Sequence, residues 1–146
     1  MTAQALYKET LLDHYRQPKN RCDGAIDGAD SIARGANPRC GDEVEIGVFL
    51  QDDGIQQVRF RGRGCAICIA SASMMTETVS GSTLASAAQL CDRMRAWFGD
   101  IEPATAPALP QGLEALTAVR QHPARRRCVL LSWEALAAAI GQATDR

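Results

Sequence analysis

The sequence lacks an imbalance of charge. Its 16 lysines and arginines are met by 17 aspartates and glutamates, a formal net charge of -1 over 146 residues, which removes any global electrostatic argument for binding nucleic acid or an anionic membrane surface. It also lacks a run near the roughly 18 apolar residues that a membrane helix requires. The opening stretch MTAQALYKETLLDHYRQPKN carries charges throughout and has neither the apolar centre nor the small-residue cleavage site of an export signal. A soluble, cytoplasmic protein is the expectation, with proteins or small ions as its partners. Histidine is nearly missing: His14 and His122 are the only two, which excludes a histidine-rich zinc or iron centre. No internal repeat or second domain is visible, and the length suits one domain, 1–146, with a real core.

What is present is patterned. Leu6, Tyr7, Leu11 and Tyr15 recur at three-to-four spacing before Pro18 and Asn20, which predicts an amphipathic helix over 3–16. Residues 24–35 are small and weakly alternating, suited to an edge strand or a mobile segment. Val44, Ile46, Val48 and Leu50 alternate with Glu43, Glu45, Gly47 and Phe49; the turn Gln51-Asp52-Asp53-Gly54 follows, and Ile55 to Arg61 resumes the strand pattern, a hairpin. Beyond Gly62 and Gly64, CAICIASASMMTETVSG reads as a helix of small residues closed by Gly81. Ser82 is placed to cap a further helix whose Leu84, Ala87, Ala88, Cys91, Met94 and Phe98 share a face. Pro103, Pro107 and Pro110 mark 99–111 as a loop, and a short helix follows with Leu113, Leu116 and Val119. The stretch RQHPARRRC reads as a solvated basic loop, and a terminal helix groups Val129, Trp133, Leu136 and Ile140. A small antiparallel sheet covered by segregated helices accounts for this order, hence an α+β fold.

Six cysteines in a chain without an export signal point to metal ligands, reactive thiols or buried apolar residues rather than a disulfide framework. Cys40 just precedes the first strand of the hairpin and Cys65 just follows the second, so both lie at the same end of the paired strands. Gly41 lets Cys40 and Asp42 face one point. Cys65 also opens a helix, where backbone N–H groups and the dipole favour a thiolate. Cys128 supplies a third sulfur at the start of the last helix. Three thiolates and a carboxylate can close a tetrahedral zinc site. Other readings stand beside this one. Each cysteine can be a small buried residue, and Asp42 can be a turn residue accepting backbone hydrogen bonds. Cys65 and Cys68 form a C-x-x-C that can act as a redox pair, and Cys68 can replace Asp42 as a ligand or simply pack. Cys91 falls on an apolar face and reads as core, Cys22 has no partner pattern, and His122 is an outside candidate near Cys128. Arg127, with Arg125 and Arg126, can offset the excess negative charge of such a site or dock an acidic partner.

The segments LYKETLLDHYRQPKN, NPRCGDEVEIGV, VRFRGRGCAICIASASMMTETVSG and RRRCVLLSWEAL run in the order of a known family. The chain resembles the U-type iron-sulfur cluster assembly proteins, related to the N-terminal domain of NifU. The resemblance implies an α+β fold with a metal site of Cys40, Asp42, Cys65 and Cys128 near one end of a small antiparallel sheet. Two departures from the ordinary scaffold branch, Arg127 where a histidine precedes the third cysteine and a long stretch between Cys65 and Cys128, are similar to the SufU branch. Cys68 stands where a serine is more usual. That branch implies zinc as the cofactor, a SufS-type cysteine desulfurase as the sulfur donor, Cys40 as the sulfur acceptor and downstream iron-sulfur assembly proteins as recipients. The alternative is a scaffold on which a transient iron-sulfur cluster is built and handed on. A purely structural zinc is a third reading.

Overall fold

The alternation of Val44, Ile46 and Val48 becomes the centre of a three-stranded antiparallel sheet. A computed structural model describes residues 2–99 and 108–144. Ser31–Asn37 forms β1, Asp42–Gln51 β2 and Gly54–Arg63 β3, in the spatial order β1-β2-β3. β1 pairs with β2 from Ser31 opposite Val48 to Asn37 opposite Asp42, and β2 pairs with β3 from Glu43 opposite Arg63 to Gln51 opposite Gly54. This register gathers the end of β1, the start of β2 and the end of β3 at one edge of the molecule. The strand expected within 24–35 starts later and runs on to Asn37, the last residue with a partner on β2.

The outer margin of β3 is sealed by the chain itself. Phe60 N–H donates to Asn20 O at 3.0 Å, Cys22 N–H donates to Phe60 O at 2.7 Å, and Ile55 N–H donates to Ser82 O at 2.8 Å. Buried side chains of the sheet, among them Val44, Ile46, Val48, Val58 and Phe60, join Met74, Met75, Met94, Leu113, Leu116, Trp133 and Leu136 in one hydrophobic cluster. The helices are α1 (Ala3–Arg16), α2 (Ala66–Val79), α3 (Leu84–Phe98) and α4 (Pro123–Thr144), with a 3-10 helix at Gln111–Val119. α4 lies against β1 and β2, α2 lies against β3 and α4, and α1 and α3 pack outside them. The α+β expectation holds.

The small residues of α2 serve close packing, as their composition suggests. Ser71 is fully buried; its Oγ donates to Val129 O at 2.7 Å and accepts from Trp133 Nε1 at 3.2 Å, stitching α2 to α4. Gly81 follows α2 at φ +88°, the left-handed conformation that ends helices.

Three local expectations are corrected. The cap of α3 is Thr83, whose hydroxyl accepts from Ser86 N–H at 3.0 Å, because Ser82 Oγ turns back to donate to Val79 O at 2.7 Å. The basic stretch is not a loop: Pro123 starts α4, where a missing N–H costs nothing, so residues 125–127 are helical. On α1 only Tyr7 and Leu11 pack on the core, whereas Leu6 and Tyr15 are exposed. The loop expected over 99–111 lies outside the described residues at 100–107. Among the described residues no helix is long and apolar enough to cross a membrane.

Candidate metal centre

The gathered end of the sheet is built by two glycines and a tight turn. Asn37 O accepts from Cys40 N–H at 3.1 Å and from Gly41 N–H at 2.9 Å. Gly41 sits at φ +71°, a left-handed conformation that glycine adopts without steric cost. The turn leaves Cys40 exposed, with Asn37 Nδ2 3.6 Å from its Sγ. Asp42, the first residue of β2, is only 1% exposed. From the far side of the hairpin Cys65 N–H donates to Asp42 Oδ1 at 3.0 Å. Gly64 makes this approach possible, since a Cβ there would lie 2.8 Å from Asp42 Oδ1. α4 contributes Cys128, which is 3% exposed.

Ligand atoms of Cys40, Asp42 and Cys128 all lie within 4.8 Å of one another. Cys65 is adjacent but outside that group: its Sγ accepts from Cys68 N–H at 3.4 Å and so caps α2. Burial pushes the Cys128 thiol well above its ordinary range, and Cys65 and Asp42 beside it push the same way. Asp42 Oδ2 is buried with no hydrogen-bond partner. A buried carboxylate oxygen without a donor is costly, and a cation held between it and the thiols would remove that cost. The site can therefore bind a metal, and thiolates with one carboxylate suit zinc among the divalent ions.

Cys40 also borders a cavity of about 320 Å³ lined by Asn37, Arg39, Pro123, Ala124 and Arg127. Arg127 was legible as a neighbour of Cys128, and Asn37 and Gly64 as turn residues before Cys40 and Cys65; Arg39, which adjoins Cys40 in sequence, and the room that Gly64 leaves for Asp42 were not. The remaining cysteines separate clearly. Cys91 is core, with its thiol 3.7 Å from Trp133 O and pushed up to about 12 by burial. Cys68 is fully buried and pushed up to about 12 by burial, then by Asp42, Cys65 and Cys40. Cys22 is half-buried, away from the group. His14 Nδ1 lies 2.7 Å from Ser73 Oγ, and burial lowers its pKa. His122 is exposed and outside the group. All six cysteines are free thiols.

The family model described as NifU-like N terminal domain matches residues 6–146. The chain belongs to the NifU-like N-terminal domain family. Within it, the chain is 36% identical over 137 residues to the zinc-dependent sulfurtransferase SufU of Bacillus subtilis, covering 90% of this chain and 86% of that protein. It is 33% identical over 140 residues to the iron-sulfur cluster assembly scaffold protein IscU of Streptococcus pyogenes, covering 96% and 86%. The crystal structure of FiSufU from Fervidobacterium islandicum superposes with a TM-score of 0.74 at 27% identity, covering 95% of this chain and 99% of that one. A NifU-like N-terminal domain from Brucella abortus shares the fold at a TM-score of 0.80 and 22% identity, covering 96% and 95%.

Proposed function

We propose that this chain is an iron-sulfur cluster assembly protein that accepts persulfide sulfur from a SufS-type cysteine desulfurase on Cys40 and relays it to downstream assembly proteins. The observation that carries this reading is the asymmetry of the cluster. Cys40 is exposed on a turn beside a cavity that Arg39 and Arg127 also line, whereas Cys128 and Asp42 are buried. The thiol that meets a partner is thus the one flanked by cations. Cys40, Asp42 and Cys128 would hold the metal, and Cys65, whose thiol caps α2 beside them, would supply the fourth ligand. Zinc, when bound, keeps its thiol ligands deprotonated at neutral pH.

In the transfer the Cys40 thiolate attacks the terminal sulfur of the donor's persulfide. The donor's sulfur–sulfur bond breaks, a new one forms on Cys40, and the donor cysteine leaves as a thiolate. Arg39 and Arg127 offset the negative charge that gathers at the mouth. The similarity to a zinc-dependent sulfurtransferase over 90% of the chain supports the relay. Mixing the zinc form with a cognate desulfurase and cysteine, without iron, is expected to add one sulfur atom that mass mapping places on Cys40. Cys40→Ser should lose that gain while still docking, because a serine hydroxyl is a far poorer nucleophile at neutral pH. Sulfur gained by the Cys40→Ser protein would sink the proposal.

The similarity to IscU over 96% of the chain favours a second reading, a scaffold for a transient iron-sulfur cluster in which Asp42 makes one exchangeable corner. Elemental analysis of protein purified without added metal separates the two. Zinc near one per chain without labile sulfide fits the relay, and iron with matching sulfide fits the scaffold.

A further inference from the structure

A second cavity, of about 470 Å³, opens between α1, the start of α2, the 3-10 helix and the start of α4. Its walls are apolar, with Leu12, Ile67 and Ala118 half-buried along them. Leu12 and Ala118 stand outside the core cluster, so the fold does not use the apolar surface they present here. The rim is basic. Lys8, His122 and Arg125 are exposed around it, and among the described residues no carboxylate lines it. A concave apolar patch rimmed by polar side chains marks a place where another molecule sits. The first turn of α4 separates this groove from the cavity beside Cys40. Arg125 N–H and Arg126 N–H donate to His122 O at 2.9 and 3.1 Å, which closes that turn. Ala124 and Arg127 line the cavity of Cys40, whereas Arg125 lines the apolar groove. Ile67, on the opposite wall, lies two residues beyond Cys65.

We propose that this groove anchors the sulfur donor: a donor segment places one apolar side chain between Leu12, Ile67 and Ala118, and carboxylates beside it meet Lys8 and Arg125. The inference rests on a cysteine desulfurase being the partner that meets Cys40. Size decides between the donor and another occupant. A stable protein contact covers about 800 Å² on each partner, a patch roughly 30 Å across, whereas one helical turn advances about 5.4 Å. A donor seated over Cys40 therefore covers the groove as well, and no separate partner fills it while sulfur is passed. Charge agrees with this. Arg39 and Arg127 at one cavity and Lys8 and Arg125 at the other form one basic belt, so a donor surface complementary to the first is complementary to the second. The cations set how fast the partners meet, and a side chain desolvated in the groove sets how long they stay together.

The test measures association and dissociation rates of a SufS-type desulfurase with the zinc-loaded protein. Ala118→Trp fills the groove and is expected to raise the dissociation rate about tenfold or more, equally at low and high salt, because the lost contact is apolar. Lys8→Glu should slow association at low salt only. Zinc content and melting temperature of both variants should match the unsubstituted chain, since position 118 is half-buried and position 8 exposed. Should the tryptophan disturb folding, Leu12→Ser, which strips the groove's wall instead, takes its place. Unchanged dissociation in a groove variant that passes those checks would overturn the anchor. Self-association lost in Ala118→Trp, with desulfurase binding intact, would give the groove to a second copy and overturn it too. Mass mapping of Cys40 at saturating donor reads the relay separately. Sulfur on Cys40 with dissociation unchanged by Ala118→Trp would remove the groove and leave the relay, whereas faster dissociation with no sulfur on Cys40 would remove the relay and leave the groove.

Discussion

Asp42 is where the chemistry of single residues is most exposed to test. Its Oδ1 is fixed by Cys65 N–H and its place depends on the missing side chain of Gly64. Gly64→Ala would press a methyl against the carboxylate, and the carboxylate would have to move. Zinc affinity should fall about 10–100-fold and stability by about 1–3 kcal/mol, read by chelator competition and thermal melting. Unchanged affinity would mean that Asp42 is not held for a metal. Cys91 allows a pH test. Burial raises its pKa from 9.0 to about 12, so the folded state keeps a proton that the unfolded chain gives up. The stabilisation is complete below pH 9 and is lost as pH rises towards about 12. Between those limits unfolding free energy should fall more steeply in the unsubstituted protein than in Cys91→Ala, by at most about 1.4 kcal/mol per pH unit. Parallel pH profiles would contradict the burial argument. The grouping of Cys40, Asp42 and Cys128 was legible because residue type and hairpin register together point to one end of the sheet. Gly64 was not, because in a sequence a glycine that makes room for a carboxylate looks the same as one that makes a turn.

At the scale of elements, the centre depends on how α2 is fixed to α4, since one begins beside Cys65 and the other carries Cys128. Ser71 makes that join, with Trp133 and Val129 as its partners. Ser71→Ala would leave a buried indole N–H and a buried carbonyl without this partner. The expected loss is about 1–3 kcal/mol in denaturant unfolding, with weaker zinc retention following because the two helices no longer hold a fixed spacing. A stability equal to the original would show that the stitch is dispensable. The hairpin and α3 could be read from hydrophobic period, because that period reports which face is buried, whereas α2 was legible from its small residues and the closing Gly81. The start of α4 was not. Arginines 125–127 carry no apolar period, and the helix there is set by Pro123 and by the burial of Cys128 and Val129 one turn on. The cap of α3 was misplaced by one residue because Ser82 and Thr83 are chemically equivalent caps until the chain direction is known.

The whole molecule is nearly neutral, at -1, yet the exposed sulfur opens beside Arg39 and Arg127. Charge of one sign focused at a mouth steers an oppositely charged partner more than net charge does. Arg39→Glu combined with Arg127→Glu should slow association with the proposed desulfurase partner about tenfold or more at low salt, with the rates converging as salt screens the field. Stopped-flow association across ionic strengths reads this, and equal rates at low salt would remove the arginines from docking. The sealed margin of β3 matters at this scale too. Open strand edges recruit strands from other molecules and seed stacked aggregates. Here the segments at Asn20–Cys22 and Gly81–Ser82 already occupy the backbone of Ile55 and Phe60. Growth of the sheet is therefore confined to β1, a seven-residue edge where exposed Ile32 invites a neighbour and Arg34 repels one. The guard against fibril formation is thus a single charge, already shared with Glu43, towards the end of the sheet where the candidate metal centre lies.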